Sequence, residues 1–327
     1  MSDDARRLEP PSLRDVEAAR ARIAPHLPQT ELRAYSTLSE LVGAEVYVKH
    51  ENRLPTGAFK VRGGVNLVSR LSPEMRERGL IAASTGNHGQ SVAFAARLFG
   101  ARAVICVPES ANPLKVAAMQ SLGAELVFHG RDFDEAREQC ERLAAEHGYR
   151  YVHSGDEPDL IAGVATATLE ILEAQPRVDT IVVPIGGGSG AAGACIAGKA
   201  VRPGLTVIGV QSEAAPAAYR SWREGRIVED RMATFAEGLA TRVGFELPQR
   251  ILRTQLDDFV LVGEDAIREA IVLMIEATRT LVEAAGAAPL AAARALRGQL
   301  AGRTVALVCS GGNITLPQLA ALLAERA

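Results

Sequence analysis

The sequence predicts an α/β protein built on open, mainly parallel sheets covered by helices. Two observations carry this expectation. Short β-branched runs recur along the chain: EVYVK (45–49), LIAAS (80–84), RAVICV (102–107), AELVF (124–128), DTIVVP (179–184), LTVIGV (205–210), DFVLV (258–262) and TVALVCS (304–310). Stretches long enough for helices separate them, as in DFDEAREQCERLAAEH (132–147), where apolar residues return at helical spacing. The runs are also continuously apolar rather than alternating, which is how strands read when helices cover both faces of a sheet.

The elements follow in order from the N-terminus. Residues 1–44 read as a helix, opened by a capping pair of Ser12 and Asp15, and then an irregular approach to the first strand. The remaining runs space out along a chain of 327 residues, which exceeds one compact domain and implies two lobes. No low-complexity linker, charge block or repeat interrupts it, so the lobes are joined by short crossings. The expected division is a large domain of residues 1–73 and 154–327 and a small one of 74–153.

Composition excludes several function classes. The net charge is −3 with both signs interspersed, and aromatic residues make up 4% of the chain, so neither a basic stripe nor a stacking platform for nucleic acid is present. No apolar run approaches the roughly 20 residues of a membrane helix. The start, MSDDARRLEPPSLRD, has no apolar signal core, and a cytoplasmic protein is expected. Cys106, Cys140, Cys195 and Cys309 are widely spaced and read as reduced packing residues. His26, His50, His129, His147 and His153 show no metal-ligand spacing.

Glycine clusters mark the candidate site. STGNHGQ (84–90), PIGGGSG (184–190) and SGGN (310–313) each follow a predicted strand. Bare backbone amides at such a strand-to-helix turn let a phosphate or carboxylate approach the positive helix end. One such cluster is equally a tight turn. Three at the carboxyl ends of strands are expected to converge on one crevice. A fourth segment, KHENRLPTGAFKVRGG (49–64), turns at Pro55–Gly57 and starts a helix near Lys60. A cation at a helix start with Arg62 nearby should lose its proton readily, as a Schiff-base lysine must. Taken locally, the same lysine reads as a solvated surface residue.

The run ENRLPTGAFKVRG resembles the cofactor-lysine motif of the fold type II pyridoxal 5′-phosphate (PLP) enzymes, in particular the threonine/serine dehydratase and serine racemase group. The resemblance continues through STGNHGQ, the glycine loop, EGLA at Glu237 and CSGGN, in family order from about Thr30 to Leu316. It implies a tryptophan synthase β-like fold, a larger PLP-binding domain, a smaller substrate-loop domain and a homodimer. It implies that Lys60 holds the cofactor as a Schiff base and acts as the base at Cα, with Phe59 packed beside the ring and Asn87 bonded to the ring hydroxyl. Gly186, Gly187, Gly188, Ser189 and Gly190 match the phosphate cradle. Gly238 matches a backbone position close to the ring, and Glu283 a residue of the site floor. Ser84, Thr85, Gly86, Asn87 and His88 match the loop that binds the amino-acid substrate, with Ser84 and Thr85 also catalytic.

Ser310 takes the place of the pyridine-nitrogen partner. A hydroxyl can bond a neutral pyridine but cannot enforce its protonation, so the electron sink is weak and suits elimination. The activity implied is removal of water and then ammonia from L-threonine, L-serine or a related β-hydroxy amino acid. Racemisation is the alternative: racemase-like members carry a serine where Thr85 stands, and threonine keeps the hydroxyl that a second proton carrier needs but adds a methyl that departs from their pattern. The combination of GGGSGAAGAC with STGNHGQS also resembles dehydratase-like proteins associated with hydroxyectoine breakdown. Gln211 and Ala217 stand where some relatives have cation-binding carboxylates, and Glu213 alone remains, so no metal site of that kind is expected. The 17 residues after Ser310 are too few for a regulatory domain. A remote alternative is a nicotinamide dehydrogenase, since Gly186, Gly188 and Ala191 fit GxGxxA with Glu213 beyond. A PLP carrier without turnover is a third reading, opposed by the competent residue at every cofactor position.

Overall fold

The computed structural model of the chain describes residues 8–324. The strands are β1 Leu32–Ala34, β2 Glu45–His50, β3 Leu80–Ala83, β4 Ala103–Val107, β5 Glu125–Phe128, β6 Arg150–Tyr151, β7 Thr180–Pro184, β8 Thr206–Ser212, β9 Asp258–Val262 and β10 Thr304–Cys309. All eight runs expected as strands are strands. The two that went unread, β1 and β6, are three and two residues long and lack an apolar core run.

The chain divides into two compact units, residues 1–27 with 60–164 and residues 28–59 with 165–327. The second unit holds a six-stranded sheet in the order β1-β2-β10-β7-β8-β9, parallel except for β1. Its interior strands are buried on both faces, as the unbroken burial of β10 shows. The short antiparallel β1 closes one edge, which limits the exposed ladder. Residues 1–44 therefore contain, beyond the expected helix, an edge strand and the helix Ser36–Val42.

The first unit holds a parallel four-stranded sheet, β5-β4-β3-β6. The segment 74–153 lies inside this unit, which also takes in the helices Leu13–Ile23 and Lys60–Ser69. Close packing explains the wider boundary. A Cβ placed on Gly64 would sit 2.7 Å from the carbonyl oxygen of Ser91, so the helices Lys60–Ser69 and Asn87–Leu98 touch backbone to backbone. Arg22 adds a guanidinium bond of 2.7 Å to Asn66 Oδ1, tying the N-terminal helix to the same layer.

Local signals hold where they were read. Ser12 and Asp15 form a reciprocal capping box, Asp15 accepting from Ser12 N at 2.8 Å and Ser12 Oγ accepting from Asp15 N at 3.4 Å. The Ser12 hydroxyl, which donates to Asp15 Oδ2 at 2.6 Å, and the Ser12 N–H lower the Asp15 carboxyl below its ordinary value. The helix Phe133–His147 is capped by Asp132, which accepts from Asp134 N and Glu135 N, and ends at Gly148 in the left-handed region. The four cysteines are buried and unpaired, as expected of packing residues.

Among the described residues, Arg279 is the one non-glycine residue with positive φ, at 58°, where it ends the helix Glu264–Thr278. An L-side chain there carries about 1 kcal/mol of strain that glycine avoids. Arg279→Gly is expected to raise stability by about 0.5–1 kcal/mol, measured as a higher midpoint in urea unfolding.

Candidate active site

In the second unit the carboxyl ends of β2, β10 and β7 are neighbours, because β10 pairs with both of the others. Cys309 is in register with His50, so the SGGN and PTGAF segments leave the sheet side by side. Backbone bonds then join them: Phe59 N donates to Ser310 O at 2.9 Å and Gly312 N to Gly57 O at 2.9 Å. Asn313 Nδ2 adds a bond of 2.9 Å to Thr56 O. Two motifs far apart in sequence thus form one backbone ladder, and it fixes Phe59 and the buried Ser310.

The glycine loop after β7 reaches the same residues. A Cβ on Gly190 would lie 3.1 Å from Phe59 Cε2, so the phenyl ring rests on the loop backbone. Gly186 faces the carbonyl of Gly238, and a methyl at Gly186 would collide with it. Gly187 is covered by the ring of Phe245, and Gly188 sits at φ +90° as the N-cap of the helix Ser189–Val201. The result is a bare, left-handed turn at the positive end of a 13-residue helix, with Ser189 almost fully buried in its first turn. That turn suits a dianionic phosphate. Glu283 is buried at the N-cap of the helix Ala284–Ala295, against Gly311, where any side chain would strike its carboxylate. Phe59, Gly186, Gly187, Gly188, Ser189, Gly190, Gly238, Glu283 and Ser310 thus all lie on this unit.

Lys60 follows Phe59 directly but belongs to the first unit, together with Ser84, Thr85, Gly86, Asn87 and His88. It is the first residue of the helix Lys60–Ser69. Its amine donates to the carbonyl of Ser154 at 2.9 Å, and Ser91 Oγ donates to the Lys60 carbonyl at 2.7 Å. Part of the side chain meets solvent, but protein atoms surround the amine and push its pKa down to about 8. Burial is the cause; the helix start and Arg62, expected to act, do not account for the shift.

The loop 84–88 leaves the carboxyl end of β3 and enters the helix Asn87–Leu98. Ser84 is buried, and its Oγ accepts from Gly86 N at 3.0 Å and from Gly89 N at 2.8 Å. Its oxygen therefore shapes the turn, while its proton stays available. Thr85 and Asn87 are half-buried. Of the three glycine clusters, two share one sheet end in the second unit and the third opens this loop in the first.

Several participants gave no motif. Ser154 and Val152 act through backbone carbonyls, which carry no side-chain signature. Lys115, almost fully buried, crosses Gly86 with its Cδ 2.9 Å from a Cβ placed there. Ser91, one turn beyond Asn87, was the readable one. Gln211 uses its Oε1 to accept from Tyr219 N at 3.0 Å, so the residue in the relatives' cation position is engaged in a protein bond.

A methyl at Gly186 requires the 238 carbonyl to move. Gly186→Ala is expected to lower stability by about 1–3 kcal/mol and to strip bound cofactor during dialysis, read from the visible absorbance retained.

Comparison with known proteins identifies the family. Residues 23–311 match the pyridoxal-phosphate dependent enzyme family. The L-threonine ammonia-lyase of Thermotoga maritima is 40% identical over 305 residues, covering 93% of this chain and 76% of that protein. The T.th. threonine deaminase structure superposes with a TM-score of 0.88 at 38% identity, covering 94% of this chain and 99% of that one. The serine racemase structure from Dictyostelium discoideum gives 0.87 at 32%, covering 93% and 99%. The dehydrogenase alternative falls with these matches. The chain belongs to the fold type II PLP-dependent enzymes, in the family of the threonine dehydratases and serine racemases, and its cofactor is pyridoxal 5′-phosphate.

Proposed function

We infer that the chain is an ammonia-lyase that removes water and then ammonia from L-threonine, L-serine or a related β-hydroxy amino acid, leaving a 2-keto acid. The buried amine of Lys60, held at 2.9 Å by a carbonyl and shifted toward neutrality, carries this reading together with the family match. Bound PLP supplies an electron-withdrawing ring that acidifies the substrate's Cα–H. Lys60 would hold the cofactor, and its free amine would take the Cα proton when the substrate's amine has displaced it. A neutral amine is needed for both tasks, and burial provides it near neutral pH.

The remaining residues orient the reactants. By the family resemblance, Phe59 and Gly238 would lie beside the ring and Asn87 would bond its hydroxyl. The turn from Gly186 to Gly190 receives the phosphate on amides at a helix start. Ser310 offers a hydroxyl to the ring nitrogen, and no carboxylate takes that place, which favours expulsion of the β-hydroxyl over a long-lived carbanion. Glu283 closes the floor. Amides of residues 84–88 bind the substrate carboxylate, with the Ser84 proton as a further donor. The chain works as a cytoplasmic homodimer on this reading. The hydroxyectoine subgroup rests on the combination of GGGSGAAGAC with STGNHGQS, and threonine and serine remain the first substrates to assay.

Racemisation is the second reading. Thr85 leaves it open, since a half-buried hydroxyl is kept at this position, although its methyl departs from the racemase-like serine. A panel of β-hydroxy amino acids scored for ammonia, keto acid and inverted amino acid decides between them. Keto acid and ammonia in equal amounts, with little inversion, are expected.

Two further outcomes test Lys60. Lys60→Ala is expected to abolish keto acid formation from threonine and serine; unchanged turnover rejects the assignment. The rate at which cofactor-free protein takes up PLP should rise with pH through about 8 and then level, because the ammonium that dominates below that pH is not a nucleophile.

A further inference from the structure

We propose that His88 is a positioning residue for Lys60, acting through the backbone of residues 152–154. This rests on the reading of Lys60 given above and extends it to a side chain: the substrate loop uses only the backbone amide of residue 88, which a change of the ring leaves in place.

The contacts form a short chain within the first unit. His88 lies in the first turn of the helix Asn87–Leu98 and is buried. Its Nε2 lies 3.0 Å from the carbonyl oxygen of Val152. Two residues further, the carbonyl of Ser154 accepts from the Lys60 amine at 2.9 Å. Ser91, on the same helix as His88, holds the Lys60 carbonyl at 2.7 Å. One helix therefore grips Lys60 at both ends: directly at the backbone through Ser91, and at the amine through His88 and the 152–154 segment.

The protonation of His88 follows from its partner. A carbonyl oxygen can only accept, so Nε2 carries the hydrogen. Nδ1 is buried with no hydrogen-bond partner. Burial, reinforced by repulsion from Lys60, pushes the ring's pKa down to about 3, so Nδ1 is bare and the ring neutral at working pH. The one ring hydrogen is committed to Val152, which leaves His88 no proton to exchange with a substrate. It also leaves the ring a single anchor, so that one substitution cuts the tether.

Two amide side chains separate positioning from proton transfer. Glutamine places its amide nitrogen at the same number of bonds from Cγ as His Nε2, whereas asparagine stops one bond short, at the Nδ1 position. Neither can exchange protons near neutral pH. His88→Gln should keep kcat within about threefold of the parent. His88→Asn should lose about tenfold or more in kcat, with KM changed less than about threefold.

The second readout needs no turnover. In cofactor-free protein, competitive acetylation read by peptide mass should show Lys60 reacting about fivefold faster, relative to the other lysines, in His88→Asn than in the parent or in His88→Gln, because the amine is no longer held. Equal Lys60 labelling in all three proteins would overturn the proposal, as would His88→Gln being as impaired as His88→Asn in kcat, which would assign the ring a proton-transfer role. The failure of the Lys60 assignment is separately visible, since Lys60→Ala would then retain turnover.

Discussion

An amine placed among protein atoms must find an acceptor or give up its charge, and Lys60 does each in part: it donates to the Ser154 carbonyl, and burial lowers its pKa. Surrounded by protein, the amine titrates at about 8, well below the ordinary lysine value. A lysine in water at neutral pH is almost wholly ammonium and chemically inert toward an aldehyde. The fold converts it to a usable nucleophile without a neighbouring cation, by depth alone. The helix it opens, Lys60–Ser69, is itself seated close against the helix Asn87–Leu98, which glycine at position 64 makes possible.

The second unit solves a different problem, that of presenting bare backbone to an anion. Its glycines are not interchangeable. Gly188 is needed for its left-handed φ, Gly186 and Gly187 because the 238 carbonyl and the Phe245 ring occupy the space a side chain would fill, and Gly190 because Phe59 lies on it. Gly311 is required by the buried carboxylate of Glu283. A sheet order that brings β2, β10 and β7 together delivers these turns to one edge, although residues 59 and 310 are far apart in sequence.

Much of this was legible in the residues alone, and the reasons differ by feature. The eight apolar runs announced the strands because strands covered on both faces leave a continuous signal. β1 and β6 left none, since LRA and RY are too short and too polar. Glycine clusters after strands marked the turns, yet nothing in their spacing told that STGNHGQ belongs to the other sheet. The boundary at residue 60 was hidden because it falls inside the motif PTGAFK, between two adjacent residues, with no linker to reveal it. The low pKa of Lys60 was anticipated for the wrong cause: helix charge can be read from sequence and burial cannot. Ser154 and Val152 were invisible because every residue has a carbonyl.

Ser84 shows how local geometry limits what a group can say to a ligand. Both lone pairs of its hydroxyl face backbone amides, those of Gly86 and Gly89. The group that remains is an O–H and nothing else. Whatever meets it encounters a donor with fixed polarity, so an oxygen bearing lone pairs is welcome and an N–H is not. A carboxylate can meet it with either oxygen and an amide only with its carbonyl, so the orientation of an amide is set by valence before shape or charge has any part in it.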